Sequence, residues 1–373
     1  MDATTLAPPA RIDNSGFRFD HLELWVGNAR QAAYYYCGAL GFRAAAYRGP
    51  ETGAPDTCSY LLVQNGVRIV VSSGLTPDDA IGRHVARHGD GVRGIAIAVD
   101  DAAAVYRHAV AQGATPVAAP HTVSDEDGDA VLATIGAYGD TVHTFVQRGA
   151  YRGAWLPGFV PLESSPFPSR PVGLTRIDHC VANVGWEELD RWCAFYERSL
   201  GLVALISFDD RDISTEFTAL KSRVMQSEGG GIKFPINEPA HGKKKSQIEE
   251  YLQFYGGAGV QHVAIQTDDI VTTVEALRAN GVELLEAPES YYDELPSRVG
   301  AIAEDIEALR RLSILVDRDD RGYMLQIFTK PLQDRPTLFI EIIQRRGALS
   351  FGKGNFKALF VSIEQEQAKR GTL

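Results

Sequence analysis

Two histidines and one glutamate, each central in a short run of β-forming residues, carry the strongest chemical signal in this chain. Glu341 lies in Thr337-Leu338-Phe339-Ile340-Glu341-Ile342-Ile343. β-branched and aromatic residues dominate this run, so it reads as a strand. Burying a lone carboxylate among such neighbours is costly unless a cation compensates it. Strand alternation points Glu341 to the same side as Phe339 and Ile343, inward. The run holds no Lys or Arg, so either that face is wet or a metal supplies the positive charge. His179, in Thr175-Arg176-Ile177-Asp178-His179-Cys180-Val181, and His262, in Gly259-Val260-Gln261-His262-Val263-Ala264-Ile265, complete a candidate set. Two His and one carboxylate form the facial triad of non-haem Fe(II) sites, which leaves coordination positions open. A single His in a strand is more often a hydrogen-bonded structural residue. Three such residues in strand centres shift the balance toward a ligand set.

The elements that must position these residues repeat along the chain. Phe19-Asp20-His21-Leu22 matches Ile177-Asp178-His179-Cys180. Tyr35 to Phe42 matches Phe195 to Leu202, and Gly89 to Ile97 matches Gly257 to Ile265. The run Thr141 to Arg148 matches Thr337 to Arg345 in character. The triad survives in one half only. His21 matches His179, but Gly94 stands where His262 stands, and Thr141 to Arg148 holds no Asp or Glu. The N-terminal half is therefore expected to keep the scaffold without an ion, with His21 in a structural role.

Hydrophobic periodicity places strands at 174–183, 203–208, 214–225, 231–236 and 260–267, and near 283–287, 311–317, 322–329 and 337–345. Helices are expected over 186–201, 246–255 and 270–280. Ser246 with Glu249 makes a capping box, and Ile248, Tyr251, Leu252 and Tyr255 form a helical stripe. The first half repeats the scheme, with helices 28–40 and 101–113 and strands 93–99, 115–119, 129–137 and 141–148. Strands outnumber helices and late joins are hairpin-like, which indicates α+β modules with curved antiparallel sheets. The segment 149–173 carries Pro157, Pro161, Pro166, Pro168 and Pro171 and reads as a linker. After it, the tail from Gly347 ends in a helix. Asn355 is its expected N-cap, and Phe356, Leu359, Phe360 and Ile363 form an apolar stripe that must dock, most naturally over the barrel mouth.

Composition narrows the function classes. The 373 residues are 45% hydrophobic and 23% charged, as in globular proteins. A net charge of -11 argues against a nucleic-acid partner. Lys243-Lys244-Lys245 reads as a solvated helix start. Cys37, Cys58, Cys180 and Cys193 show no CxxC spacing, which suits a reducing cytoplasm with neither disulfides nor a cysteine zinc site. Met1 to Gly16 has no apolar signal core, and no stretch reaches membrane-span length, so no membrane partner is expected. Gly352-Lys353-Gly354 fits neither a P-loop nor a dinucleotide fingerprint.

Several segments together resemble the 4-hydroxyphenylpyruvate dioxygenase family of the vicinal-oxygen-chelate superfamily. They are Lys233-Phe234-Pro235-Ile236-Asn237-Glu238-Pro239, Lys244-Lys245-Ser246-Gln247-Ile248, Tyr255 to His262, Leu325 to Lys330, and Phe351 to Leu359. The resemblance runs from about Phe17 to the C-terminus, more loosely in the first half. It implies tandem βαβββ modules, glyoxalase-like, forming two open barrels with a C-terminal lid helix. It also implies a metal-free domain over 17–150, a linker over 151–173 and a catalytic domain over 174–373.

The resemblance further implies Fe(II) held by His179, His262 and Glu341. A 2-oxo acid substrate would take two of the remaining coordination positions and O₂ the third. The family's reaction converts 4-hydroxyphenylpyruvate and O₂ to homogentisate and CO₂ by oxidative decarboxylation, ring hydroxylation and side-chain migration, in tyrosine catabolism. Phe328 and Phe356 match ring-flanking residues. Ser222, Asn237, Gln247 and Gln261 match polar pocket residues, Gln326 shares a strand face with Phe328, and Leu359 lies beside Phe356 on the lid. Gln247, Gln326, Phe328 and Phe356 are the expected catalytic residues besides the ligands. Strand alternation points Gln261 away from its neighbour His262. A homodimer or tetramer follows from family habit. The alternatives are 4-hydroxymandelate synthase, an extradiol ring-cleaving enzyme, or a metal-free binding module. The synthase pattern lacks the Pro-Ile-Asn and Lys-Gly-Asn-Phe present here as Pro235-Ile236-Asn237 and Lys353-Gly354-Asn355-Phe356.

Overall fold

The computed structural model describes residues 12–209, 215 and 217–373. Four successive βαβββ units follow one another along the chain. The first comprises β1 (Arg18–Trp25), α1 (Ala29–Gly38), β2 (Arg43–Arg48), β3 (Thr57–Gln64) and β4 (Val67–Gly74). Helix α2 (Ala80–His88) leads to the second: β5 (Gly91–Ala98), α3 (Ala102–Ala111), β6 (Pro116–Asp125), β7 (Gly128–Gly136) and β8 (Val142–Gln147). A two-residue strand, β9 (Val160–Pro161), precedes the third unit. That unit is β10 (Leu174–Asn183), α4 (Leu189–Leu200), β11 (Val203–Phe208), β12 (Ala219–Gln226) and β13 (Lys233–Ala240). Helix α5 (Gln247–Tyr255) leads to the fourth: β14 (Gly259–Thr267), α6 (Ile270–Ala279), α7 (Ser290–Val299), α8 (Ile306–Leu312), β15 (Leu315–Asp319), β16 (Gly322–Phe328) and β17 (Phe339–Arg346). Helix α9 (Phe356–Arg370) closes the chain.

The units pair into two curled sheets. One has the order β6-β7-β8-β5-β1-β4-β3-β2-β9, the other β11-β12-β13-β10-β14-β17-β16-β15. In each, the first strands of two units lie antiparallel at the centre, β1 with β5 and β10 with β14. The expected antiparallel pattern has one exception per unit. The last strand runs parallel to the first, as in β10 with β13 and β14 with β17. A parallel neighbour needs a long crossover, which the helix and two intervening strands supply.

Several expected boundaries shift for local reasons. Positions 214 and 216 of the strand expected over 214–225 lie outside the described residues, and β12 begins at Ala219. The strand expected near 283–287 is reduced to one bridge, Leu284 with Thr329. Helices α7 and α8 come next, and the periodicity had signalled neither. Helix α8 ends at Leu312, and Ser313 turns the chain at φ 60°, so the strand expected over 311–317 starts only at Leu315. The capping box at Ser246 and Glu249 forms as expected.

Asn355 does not cap the tail helix through its side chain. It is buried, and its Oδ1 instead accepts from the Tyr291 hydroxyl at 2.7 Å. A side chain tied to α7 cannot also reach the backbone N–H groups of its own helix. The tail stripe docks over the second barrel: Phe360 packs with Phe208, Leu220, Val224, Ile248 and Phe351, and Phe356 meets the Phe208 ring edge-on at 5.1 Å. Burying such a ring contributes about 1.5–3 kcal/mol. Polar ties add to it, Arg370 with Glu250 at 2.9 Å and Ser362 Oγ donating to Glu286 O at 2.7 Å.

Candidate active site

Three central strands of the second sheet bring the candidate ligands together. His179 comes from β10, His262 from β14 and Glu341 from β17. β14 and β17 run parallel with Ala264 opposite Glu341, so the carboxylate lies close to His262. Glu341 Oε2 is 3.2 Å from His179 Nε2 and 3.4 Å from His262 Nε2. All three residues are buried. Among the described residues, no Lys or Arg pairs with Glu341. The donor set therefore fits a divalent ion, two imidazole nitrogens and one carboxylate oxygen within 4.8 Å of one another.

A β-bulge orients each imidazole. On β10 the register skips Asp178 between Ile177 and His179. The extra residue breaks the alternation. It lets Asp178 Oδ2 reach His179 Nδ1 at 2.7 Å. That bond leaves Nε2 for the cluster, the usual support for a metal-bound histidine. Asp178 is gripped in turn by Arg345, whose Nε and Nη2 donate at 2.8 Å each. On β14 the register skips Gln261, between Val260 and His262. Gln261 therefore shares the cavity with His262, contrary to the alternation expected for a regular strand. His262 Nδ1 donates to Gln261 Oε1 at 3.0 Å, and Gln261 Nε2 donates to Gln247 Oε1 at 3.4 Å.

The electrostatics reflect burial and these partners. Burial pushes the Glu341 carboxyl up, but the two imidazoles outweigh it and hold the pKa down at about 2. For Asp178 the burial penalty is overcome by Arg345 and His179, and the group stays well below the usual carboxylate range. Burial lowers His179, yet Glu341 and Asp178 bring it above its ordinary value. His262 lacks a carboxylate on Nδ1, and burial leaves it lowered.

One cavity receives every residue singled out from the sequence. His179, His262, Glu341, Ser222, Asn237, Gln247, Gln261, Gln326, Phe328, Phe356 and Leu359 all line it. Ser222 and Asn237 are directly opposite on β12 and β13, and so share a face. Gln326 Oε1 is buried and has no hydrogen-bond partner. Gly352, at φ 77°, lies over it, and a Cβ there would collide with Gln326 Oε1. Sequence reading missed the rings that flank the imidazoles. Phe339 stacks on His262 at 4.7 Å, and Phe351 meets His179 edge-on at 5.0 Å. It also missed the roles of Asp178 and Arg345. A signal existed, because Asp20 precedes His21 and Arg148 ends the matching run in the first half.

Residues 18–134 and 176–327 match the family model described as Glyoxalase/Bleomycin resistance protein/Dioxygenase superfamily. A 4-hydroxyphenylpyruvate dioxygenase from Caenorhabditis elegans is 48% identical over 99% of this chain and 97% of the relative. One from Coccidioides posadasii is 46% identical over 100% of this chain and 98% of the relative. Among solved structures, a triple mutant of 4-hydroxymandelate synthase from Streptomyces coelicolor superposes with a TM-score of 0.84. It is 35% identical and covers 94% of this chain and 98% of that one. Matches of this extent, on a chain whose sheets and cavity have the geometry above, establish that it belongs to the 4-hydroxyphenylpyruvate dioxygenase family.

Proposed function

We propose that this chain is an Fe(II)-dependent dioxygenase that converts 4-hydroxyphenylpyruvate and O₂ to homogentisate and CO₂. The observation that carries the reading is the convergence of His179, His262 and Glu341 at one end of a cavity lined by phenylalanines and amides. Those three side chains would hold the iron, which supplies a chelation point for the 2-oxo acid and activates O₂. Asp178 keeps a proton on His179 Nδ1, and Gln261 accepts one from His262 Nδ1, so both Nε2 atoms remain free for coordination. The unpartnered Gln326 Oε1 offers an acceptor to the substrate head. Ser222, Asn237 and Gln247 offer donors and acceptors to the phenol hydroxyl. Phe328, Phe356 and Leu359 supply apolar walls for the ring. Helix α9 covers the mouth and excludes water, which protects a reactive site.

In this reading residues 17–150 form a domain whose barrel holds no metal, 151–173 a linker and 174–373 the catalytic domain. The enzyme acts in the cytoplasm, in tyrosine catabolism, as a homo-oligomer. Among the described residues no helix is long and apolar enough to cross a membrane. The test is anaerobic loading with Fe(II), then addition of 4-hydroxyphenylpyruvate and O₂, with identification of the product. Homogentisate supports the proposal. 4-Hydroxymandelate would replace it with the synthase reading, which the 35% identical synthase structure keeps in play. Absence of any iron-dependent product would overturn both.

A further inference from the structure

A second cluster of ligating atoms lies where the two halves meet. His84 and His88 sit four residues apart on α2, and so share one helix face. Asp140 comes from the turn between β7 and β8. One ring nitrogen of each histidine and one oxygen of Asp140 lie within 4.8 Å of one another. The His84 and His88 rings are 4.5 Å apart.

The hydrogen bonds here leave a charge unaccounted for. His88 Nδ1 is 2.5 Å from the Tyr255 carbonyl oxygen, so that nitrogen carries the proton and donates. Its Nε2 then faces Asp140 Oδ2 at 2.7 Å. In a neutral ring this sets a lone pair against a carboxylate, a repulsion that a bound cation or a second ring proton relieves. A second proton on His88 would satisfy that pair alone. It would leave His84, which is 7% exposed with no partner for its Nε2, as an orphan beside a new positive charge. The buried, unpartnered His84 Nε2 is therefore open to a ligand, and its ring lies within reach of the other two groups. A metal ion satisfies all three groups at once. A donor set of two imidazoles and one carboxylate suits zinc, with water from the half-exposed Asp140 side as the fourth ligand. Tetrahedral bonds of about 2.0 Å separate neighbouring donors by about 3.3 Å. Asp140 Oδ2, now 2.7 Å from His88 Nε2, would need to move outward by about 0.6 Å. The Tyr255 carbonyl then plays the orienting part that Asp178 plays for His179.

We propose that His84, His88 and Asp140 form a structural zinc site that fastens α2 to the β7–β8 turn and fixes the His88 ring against the Tyr255 carbonyl at the C-terminal end of α5. That helix carries Gln247, a cavity residue, at its other end. The Arg87 guanidinium, 3.4 Å from Asp140, would turn outward to solvent when the ion binds.

The test uses the full chain and counts zinc after dialysis against buffered micromolar zinc. The wild type is expected to hold two equivalents. Glu341→Ala, which removes the other cluster, should hold one, and its cobalt derivative should show the intense visible bands of a four-coordinate ion. Adding His84→Ala or Asp140→Asn to Glu341→Ala should remove that equivalent and those bands. Zinc should also raise the Tm of Glu341→Ala but not of the double variants. A Glu341→Ala chain that holds no zinc overturns the proposal, as does zinc retained after both His84 and Asp140 are changed. The Glu341→Ala count stands even if a double variant fails to fold. Iron-dependent product formation is read separately in His84→Ala alone, so failure of one reading does not mimic failure of the other.

Discussion

In the first sheet, Asp20 Oδ1 lies 2.6 Å from His21 Nδ1 and is held by Arg148 at 2.7 Å. In the second, Asp178 Oδ2 lies 2.7 Å from His179 Nδ1 and is held by Arg345 at 2.8 Å. The bulge recurs too, since the register skips Asp20 between Phe19 and His21. The halves diverge at the next two positions. Gly94 replaces His262, and Thr144, paired with Ala96 as Glu341 is with Ala264, replaces the carboxylate. They diverge again beyond the last strand of each sheet. After β8 the chain turns Trp155 into the barrel, edge-on to His21 at 4.8 Å, with Arg148 over its ring at 4.3 Å. After β17, Phe351 takes the same place beside His179 and Arg345, but the chain then forms α9 over the mouth and leaves a cavity. A histidine oriented by an acid is therefore not enough for a metal site. The second and third ligands and an unfilled barrel complete it.

Substitutions can break this contrast or sharpen it. Glu341→Ala should abolish turnover and strip the iron, measured as iron per chain and product formed. Retention of most activity would refute the metal assignment. Asp178→Asn should lower iron affinity or activity by about 10–100-fold, the usual result of losing a ligand's orienting partner. The matching Asp20→Asn should leave turnover unchanged, and a comparable loss there would erase the distinction between the halves. Phe356→Ala removes one aromatic wall, worth about 0.5–1.5 kcal/mol, so KM for the aromatic substrate should rise about two- to tenfold. Trp155→Ala should act on stability, lowering it by about 3–5 kcal/mol in thermal or urea unfolding, with turnover of the folded fraction retained. His21→Ala should change turnover least. A dead but folded His21→Ala enzyme would mean the first half is not the passive copy.

Much of the site was legible because its residues break local rules. Glu341 stands out in an apolar strand, and the repeat isolates His262 by offering Gly94 as its counterpart. The bulge at Gln261 was not legible, because a skipped residue is visible only once two strands are paired. Helices α7 and α8 interrupt the unit pattern and offered no apolar period to follow. Asn355 looked like a cap because Asn favours that position. A hydroxyl on a distant helix claimed its side chain instead.

Residue type and order alone decided which atoms could bind a cation, that the chain is built from repeated units, and that one half lacks two ligands. Only the folded chain decided that His179, His262 and Glu341 converge, that Asp178 and Gln261 support the imidazoles, and that Trp155 packs against His21 in one barrel while the other keeps a cavity under α9. Those outcomes depend on pairing register and on segments that pack from far along the chain. Neither is a property of any local stretch of sequence.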